Sequence, residues 1–241
     1  MATLLKRGPT RLTDERRFFA VMAAVIALAT FVGFAPSYYL APIIGARPLS
    51  TLLHIHGLAF TGWIILYVAQ TGLIAAGRTD IHKVVGPIAV ALAAAMVPLG
   101  VVTAIVTKHV AATKQLPPLG PPLIFPLGAI FTFAVLVGGA VALRKRAAWH
   151  KRLMLLGTAA ILTTPLARIT RFTHLGLAPP IGGIALTDIL LAALVIYDVR
   201  SRGKLHPATL WGGGFFVATQ ALRILLNATP AWQTLAKGLT G

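Results

Sequence analysis

Seven long apolar segments, separated by short polar turns, constrain this chain more than any other feature of its sequence. A helix needs roughly 20 apolar residues to cross the hydrocarbon core of a bilayer. The segments cover residues 18–40, 50–77, 84–107, 122–143, 149–172, 184–199 and 207–228. The sixth is the shortest and is polar at both ends. We therefore predict an all-α membrane protein with seven transmembrane helices.

The composition agrees with a membrane protein. Of the 241 residues, 57% are hydrophobic and 11% are charged, whereas about a quarter of the residues of a soluble domain are charged. The net charge of +17 would suggest nucleic-acid binding in a soluble protein. Here the positive charges follow the turns between helices, which indicates membrane topology and no nucleic-acid partner.

The basic residues define an orientation. Five precede helix one, two join helices two and three, five join helices four and five, and three join helices six and seven, so 15 of the 22 lie on one side. Cytoplasmic loops carry an excess of Lys and Arg. We therefore predict a basic cytoplasmic tail over residues 1–17, a transmembrane domain over 18–228 and an external tail over 229–241, in a bacterial inner membrane.

A local pattern recurs at three turns on this basic side. Arg-x-x-x-His occurs at Arg78–His82, Arg146–His150 and Arg202–His206, which predicts three weakly repeated helical hairpins after helix one. The three histidines have two interpretations. They could form a ring of imidazoles that ligates a haem iron or a metal, or they are the amphipathic rings typical of interfacial helix starts. We favour the second.

Further residues predict local geometry. Ser50 is placed to cap helix two. The sequence Thr163-Thr164-Pro165 predicts a kink in helix five, because proline removes a backbone donor. Three consecutive glycines, at 212–214, predict a close approach between helix seven and its neighbours.

The candidate site comes from comparing depths across helices. With helices two and six running inward and helices five and seven outward, four helices bring ionisable residues to one level of the outer leaflet. These residues are His54, His56, Arg168, Asp188 and Arg223. Ionisable groups at such depth are costly, and they are functional candidates by default.

The spacing and charge of these residues predict a polar pocket. Gln220 and Arg223 share one helical face, and Arg168 and Arg171 share another. Three arginines facing one aspartate leave positive charge over, so we expect an anion: a carboxylate, a phosphate or the propionates of haem. The alternative is structural, with Asp188 and one arginine forming an ion pair while the histidines hydrogen-bond between helices.

Only one histidine of helix two is expected to face this pocket, because His54 and His56 are about 200° apart around a helix. We choose His56, since the adjacent Gly57 lets a flat group approach the backbone. If the flat group is haem, His56 is a candidate axial metal ligand. The candidate ligands opposite it are His109 and His174, at the external ends of helices three and five.

Three stretches carry a resemblance to known proteins: His56-Gly57 to Gln70, His82-Lys83-Val84-Val85-Gly86, and residues 149–154, WHKRLM. Over residues 50–170 they resemble a group of uncharacterised bacterial multi-pass proteins with His-(Arg/Lys)-x-x-Gly helix entrances. The chain is also loosely similar to cytochrome b561-type and ferric-reductase-like helix bundles. That likeness implies b-type haem and electron transfer.

Three hypotheses follow. In the first, the protein binds b-type haem and passes electrons near the external face, with a quinone as candidate partner. In the second, it is a haem-free carrier or receptor for a small anionic or lipid-like ligand. In the third, it is an accessory subunit of a larger membrane complex. The absence of cysteine and the lone buried acid disfavour hydrolase chemistry, and whether the protein is an enzyme stays open.

Overall fold

The computed structural model describes residues 9–45, 48–115, 120–173 and 179–241, with side chains described from residue 14 and, in the last stretch, from residue 180. Within these residues the chain forms α-helices and no strand. The helices are α1 (Pro9–Phe34), α2 (Thr51–Ala75), α3 (Thr79–Thr113), α4 (Ile124–Ala142), α5 (Ala147–Ala160), α6 (Thr163–Phe172), α7 (Pro179–Arg202), α8 (Pro207–Asn227) and α9 (Pro230–Thr240). A π-helical turn, Ala35–Tyr39, continues α1.

Six helices are long and apolar enough to cross a membrane: α1 with its π-helical turn, α2, α3, α4, α7 and α8. The pair α5 and α6 makes a seventh span when it is counted as one. The protein is therefore an all-helical, multi-pass membrane protein, as its composition predicts.

The bend between α5 and α6 confirms the predicted kink. The two helices meet at 47° across a break at Ile161 and Leu162, directly before the Thr163-Thr164-Pro165 sequence. Pro165 has no N–H to continue the ladder of α5. The hydroxyl of Thr163 donates to the carbonyl of Ala160 at 3.2 Å, which satisfies one of the acceptors that the break leaves free.

Four helices differ from the sequence prediction. Helix α1 begins at Pro9, within the predicted tail, and α3 extends over Thr79–Thr113 instead of residues 84–107. The predicted sixth helix is longer than residues 184–199, because α7 begins at Pro179, and proline is accepted in the first turn of a helix. The C-terminal tail, for which no structure was predicted, forms α9. Its cap is Thr229, which accepts from the N–H of Trp232 at 3.3 Å. Trp232 packs against the apolar cluster of Ile124, Phe125 and Ile184, and α9 packs mainly on α3 and touches α8.

Glycines set the closest helix contacts. A Cβ added to Gly212 would lie 2.7 Å from Leu153, and one added to Gly213 would lie 2.9 Å from Leu191. These contacts confirm a close approach of α8 to α5 and α7 at Gly212 and Gly213, whereas nothing lies within 4 Å of a Cβ added to Gly214. Likewise Gly33 on α1 lies directly against Pro165 on α6.

The packing of the hairpins is uneven. The pairs α2–α3 and α4–α5 pack along their lengths, whereas α7 packs mainly on α6 and touches α8 over few residues. We call the end of the bundle with the Arg-x-x-x-His turns the basic end, and the opposite end the far end. The three-hairpin repeat and the cytoplasmic position of the basic end stay predictions.

Candidate functional site

Arg223 is the most buried charged residue of the predicted pocket. It projects from α8 with only 3% of its surface exposed. Its Nε donates to the carbonyl of Thr219 at 3.1 Å, and its Nη1 lies 3.4 Å from the carbonyl of Phe125 on α4. Gly128 provides the space, because a Cβ there would overlap the stem of Arg223. A single glycine of α4 thus lets the guanidinium enter the gap between α4 and α8.

The polar groups around Arg223 are left unsatisfied. Among the described residues, Arg223 makes no ion pair, although Asp188 on α7 lies close enough for its charge to act on the guanidinium. The Oδ1 of Asp188 is buried without a hydrogen-bond partner. The same is true of Nε2 of Gln220, which is one turn before Arg223 and 3% exposed. We call Asp188, Gln220 and Arg223 the far-end site.

Arg168 is engaged elsewhere. Its Nη1 donates to the hydroxyl of Ser37 at 2.6 Å, and its guanidinium lies 5.0 Å from the ring centroid of Phe34. Such a cation–π contact favours a fixed position of the side chain. Arg171 is exposed. The described contacts therefore tie Arg168 to the end of α1, and they join Arg223 to α4.

His56 is half-buried on α2 and stacks on Phe60, with ring centroids 4.1 Å apart. Its Nδ1 is buried without a partner. The flat group that lies against Gly57 is the ring of Tyr38, since a Cβ on Gly57 would be 2.5 Å from two of its carbons. The Tyr38 hydroxyl is 3.4 Å from the carbonyl of His54, whose own side chain is exposed. Only His56 of the two histidines has a buried ring nitrogen.

Of the two candidate metal ligands opposite His56, the structure describes only His109. His109 is exposed, and its Nδ1 is hydrogen-bonded to the carbonyl of Thr240 at 3.0 Å, which ties α3 to the end of α9. His174 lies outside the described residues. Within the described part of the chain, no hydrogen bond, ion pair or ring contact joins His56 to Arg168, Asp188 or Arg223. No group of three His, Asp or Glu side chains there could hold a metal ion.

A second polar cluster, at the basic end, was missed by the sequence reasoning. Arg152 on α5 and Asp198 on α7 form an ion pair in which both side chains are fully buried. The Nε of Arg152 donates to Asp198 at 3.0 Å, and Nη1 donates to the carbonyl of Ala148 at 3.0 Å. Asp198 also accepts from the N–H of His206 at 3.1 Å and from the hydroxyl of Thr209.

The signal for this cluster was present in the composition. The chain has only five acidic residues, and Asp198 lies in a largely apolar helix that is long enough to cross a membrane, where an acid requires a partner. Arg152 was grouped with the exposed basic residues of a turn. The structure buries it one turn into α5.

The three histidines of the basic end separate into two groups. The rings of His82 and His150 are 6.3 Å apart, and Nδ1 of His150 is bonded to the carbonyl of Ala140 at 2.8 Å. His206 instead belongs to the Arg152–Asp198 cluster and caps α8, since its Nδ1 accepts from the N–H of Ala208 at 3.0 Å. Burial, with help from the charges of Arg152 and Arg202, lowers the pKa of His206 to about 4, so it is neutral at pH 7.

The two clusters have different chemical capacities. At the basic end, the carboxylate of Asp198 has donors from three residues, and the cluster is closed. At the far end, a buried cation and two unpartnered polar atoms can still accept a ligand. No family model matches the sequence, and no significant match was found among curated proteins or solved structures.

Proposed function

We propose that this membrane protein is a carrier or receptor for a small anionic ligand that binds at the far-end site. The observation that carries the proposal is the state of Arg223, which is buried in a membrane-spanning helix without an ion pair among the described residues. A charge in such a position is costly unless an opposite charge reaches it. An anionic ligand would supply that charge.

The unpartnered atoms narrow the chemistry of the ligand. Arg223 and the Nε2 of Gln220 offer donors, whereas the Oδ1 of Asp188 requires one. The ligand is therefore an oxyanion, such as a carboxylate or a phosphate, that also retains a hydroxyl or ammonium donor. The guanidinium would bind the oxygens, and Asp188 would select for the donor.

The orientation of the site follows from the basic turns. Because these turns are predicted to be cytoplasmic, the far-end site would open toward the external side of a bacterial inner membrane. Helix α9 would then lie at that surface. Its Trp232 packs on Phe125, whose carbonyl lies within hydrogen-bond distance of Arg223, so α9 also supports one wall of the site.

The test is anion binding by Arg223→Gln, with Arg168→Gln as the matched control. We expect inorganic phosphate or a small hydroxycarboxylate to raise the apparent melting temperature of the purified protein. Arg223→Gln should weaken this binding about tenfold to a hundredfold, the value of a hydrogen bond to a charged group. Arg168→Gln should bind normally, because Arg168 is bonded to Ser37. Equal binding by Arg223→Gln would refute the proposal.

A second candidate function rests on the buried, unpartnered Nδ1 of His56. This atom would hold the iron of b-type haem, and the exposed Arg171 of α6 would bind a propionate, whereas Arg168 is bonded to Ser37. The fit is incomplete, because Tyr38 fills the face over Gly57 and His109 is bonded to Thr240. When bound, haem would supply one-electron transfer near the external face, with a quinone as candidate partner.

An absorption spectrum decides this second candidate. Protein expressed with 5-aminolevulinate should show a Soret band that is lost in His56→Ala and retained in His54→Ala, since His54 is exposed. A colourless wild-type protein that binds anions would leave the first proposal in place and exclude haem.

A further inference from the structure

A groove runs along the outside of the bundle at the basic end, between α1 and α7. Its volume is about 510 Å³. The residues that line it are Phe18, Ala193, Ile196, Tyr197, Arg200 and Ser201. All of them except Phe18 lie on α7. None of these residues belongs to the far-end site or to the Arg152–Asp198 cluster.

The groove exists because α1 and α7 pack on common neighbours rather than on each other. Helix α1 packs on α2 and α6, and α7 packs on α6, while direct contact between α1 and α7 is sparse. A stacked pair, Phe18 and Tyr197, bridges them, with ring centroids 4.1 Å apart. Ala193 is small, so it leaves space at the inner end of the groove. Half of the surface of Ile196 is exposed, which places the opening of the groove on the lipid side.

The groove changes from apolar to polar along its length. From Ala193 to Arg200, α7 advances about 10 Å. This distance corresponds to the part of one leaflet that is nearest to its headgroups. The inner end is lined by hydrocarbon. The outer end presents the guanidinium of Arg200, which is exposed, next to the hydroxyl of Ser201. Charge and shape together match an amphiphile with an apolar chain and an anionic head.

The charges around the outer end favour an anion. Arg16 and Arg17 are exposed on α1, directly before Phe18. Two acids act on Tyr197 of the groove, and both are paired: Glu15 forms an ion pair with Lys151, and the buried Asp198 forms one with Arg152. Juxtamembrane basic residues of this kind attract anionic lipids.

We propose that the α1–α7 groove binds an anionic phospholipid, with one acyl chain between Phe18 and Ile196 and the phosphate at Arg200. Burial of the chain against apolar walls supplies affinity for any phospholipid. The arginine supplies the preference for a net negative headgroup over a zwitterionic one. The site is independent of the far-end ligand.

Native mass spectrometry of the full-length protein, with equal amounts of phosphatidylglycerol and phosphatidylcholine, tests the proposal. We expect the wild-type protein to retain one phosphatidylglycerol preferentially. Arg200→Gln should reduce the preference about fivefold, the weight of one arginine at an anionic surface. Ala193→Leu should reduce retention of both lipids, because the added atoms fill the inner end of the groove.

The matched control is Arg144→Gln, an exposed arginine of the same end that lies in the α4–α5 turn. It should keep the wild-type preference. Excess glycerol phosphate should not displace the lipid, since it lacks the chain; displacement would indicate a site for free phosphate and overturn the proposal. An unchanged preference in Arg200→Gln would do the same, and this exposed residue can be replaced without loss of folding even if Ala193→Leu is unstable.

Discussion

The basic-end and far-end clusters use the same residue types with opposite results. At the basic end, Arg152 and Asp198 meet in a fully buried ion pair, and Asp198 also accepts from His206 and Thr209. At the far end, Arg223 and Asp188 lie near each other on α8 and α7 but form no ion pair, and Asp188 keeps a buried oxygen without a partner.

This difference separates a structural role from a binding role. A buried ion pair with complete hydrogen bonds connects α5, α7 and α8 and leaves nothing for a ligand to satisfy. An incomplete pair costs stability in the empty protein, and a ligand that completes it recovers that cost. The number of unsatisfied atoms, rather than the presence of charge, therefore distinguishes the two sites.

The largest expected effect is the difference in stability between variants of the two aspartates. Asp198→Ala should destabilise the protein by about 3–5 kcal/mol, because it leaves Arg152 buried without its partner. Asp188→Ala should cost about 1 kcal/mol or less, since it breaks no hydrogen bond seen in the structure. Apparent melting temperatures in one detergent give the comparison directly.

A paired substitution controls for the loss of packing. Replacing both partners, as in Arg152→Met with Asp198→Leu, should be less harmful than Asp198→Ala alone, because no unpaired charge remains. If Asp188→Ala proved as destabilising as Asp198→Ala, the contrast between a closed and an open cluster would be wrong.

A smaller effect concerns pH and the basic end. The pKa of His206 is about 4 in the folded protein, against about 6.5 in an unfolded chain. Between these values the unfolded state binds more protons, so the free energy of unfolding should fall as the pH is lowered from about 6.5 to 4. The charges of Arg152, Arg202 and Lys151 disfavour the protonated ring, and that of Asp198 favours it.

The matched variant is His206→Asn, which retains a good helix cap and removes the titration. Melting temperatures at pH 7 and pH 4.5 should differ less in this variant than in the wild-type protein. If the melting temperature fell equally in both proteins between pH 7 and pH 4.5, the titrating group would be a residue other than His206. The acid sensitivity would then not come from His206 in the basic-end network.

Much of the fold could be predicted from the sequence because hydrophobicity and proline act locally. The apolar runs predicted the membrane-spanning helices, and Pro165 predicted the bend between α5 and α6. Helix α9 was missed because its 11 residues are too few for a span.

The candidate site was predicted in part. Gln220 and Arg223, which were grouped with Asp188 by depth, are both buried in the structure, and their role in binding stays a prediction. A comparison of depths along the helices could not predict that Arg168 is bonded to Ser37, or that the ring of Tyr38 lies against Gly57. Those contacts depend on rotation about each helix axis, and the apolar surface of most spans leaves that rotation undetermined.

By itself, the sequence determined that this protein is a helical, multi-pass membrane protein whose charges gather in its turns. It also indicated that Asp188, the one acid that it placed inside the membrane, must be paired or functional, because an unpaired charge is costly in an apolar environment. Only the tertiary structure showed which of the two aspartates, Asp188 or Asp198, forms an ion pair. Helix packing brings Asp198 within hydrogen-bond distance of Arg152 and holds Asp188 outside ion-pair distance of Arg223, and that separation determines whether a ligand can bind.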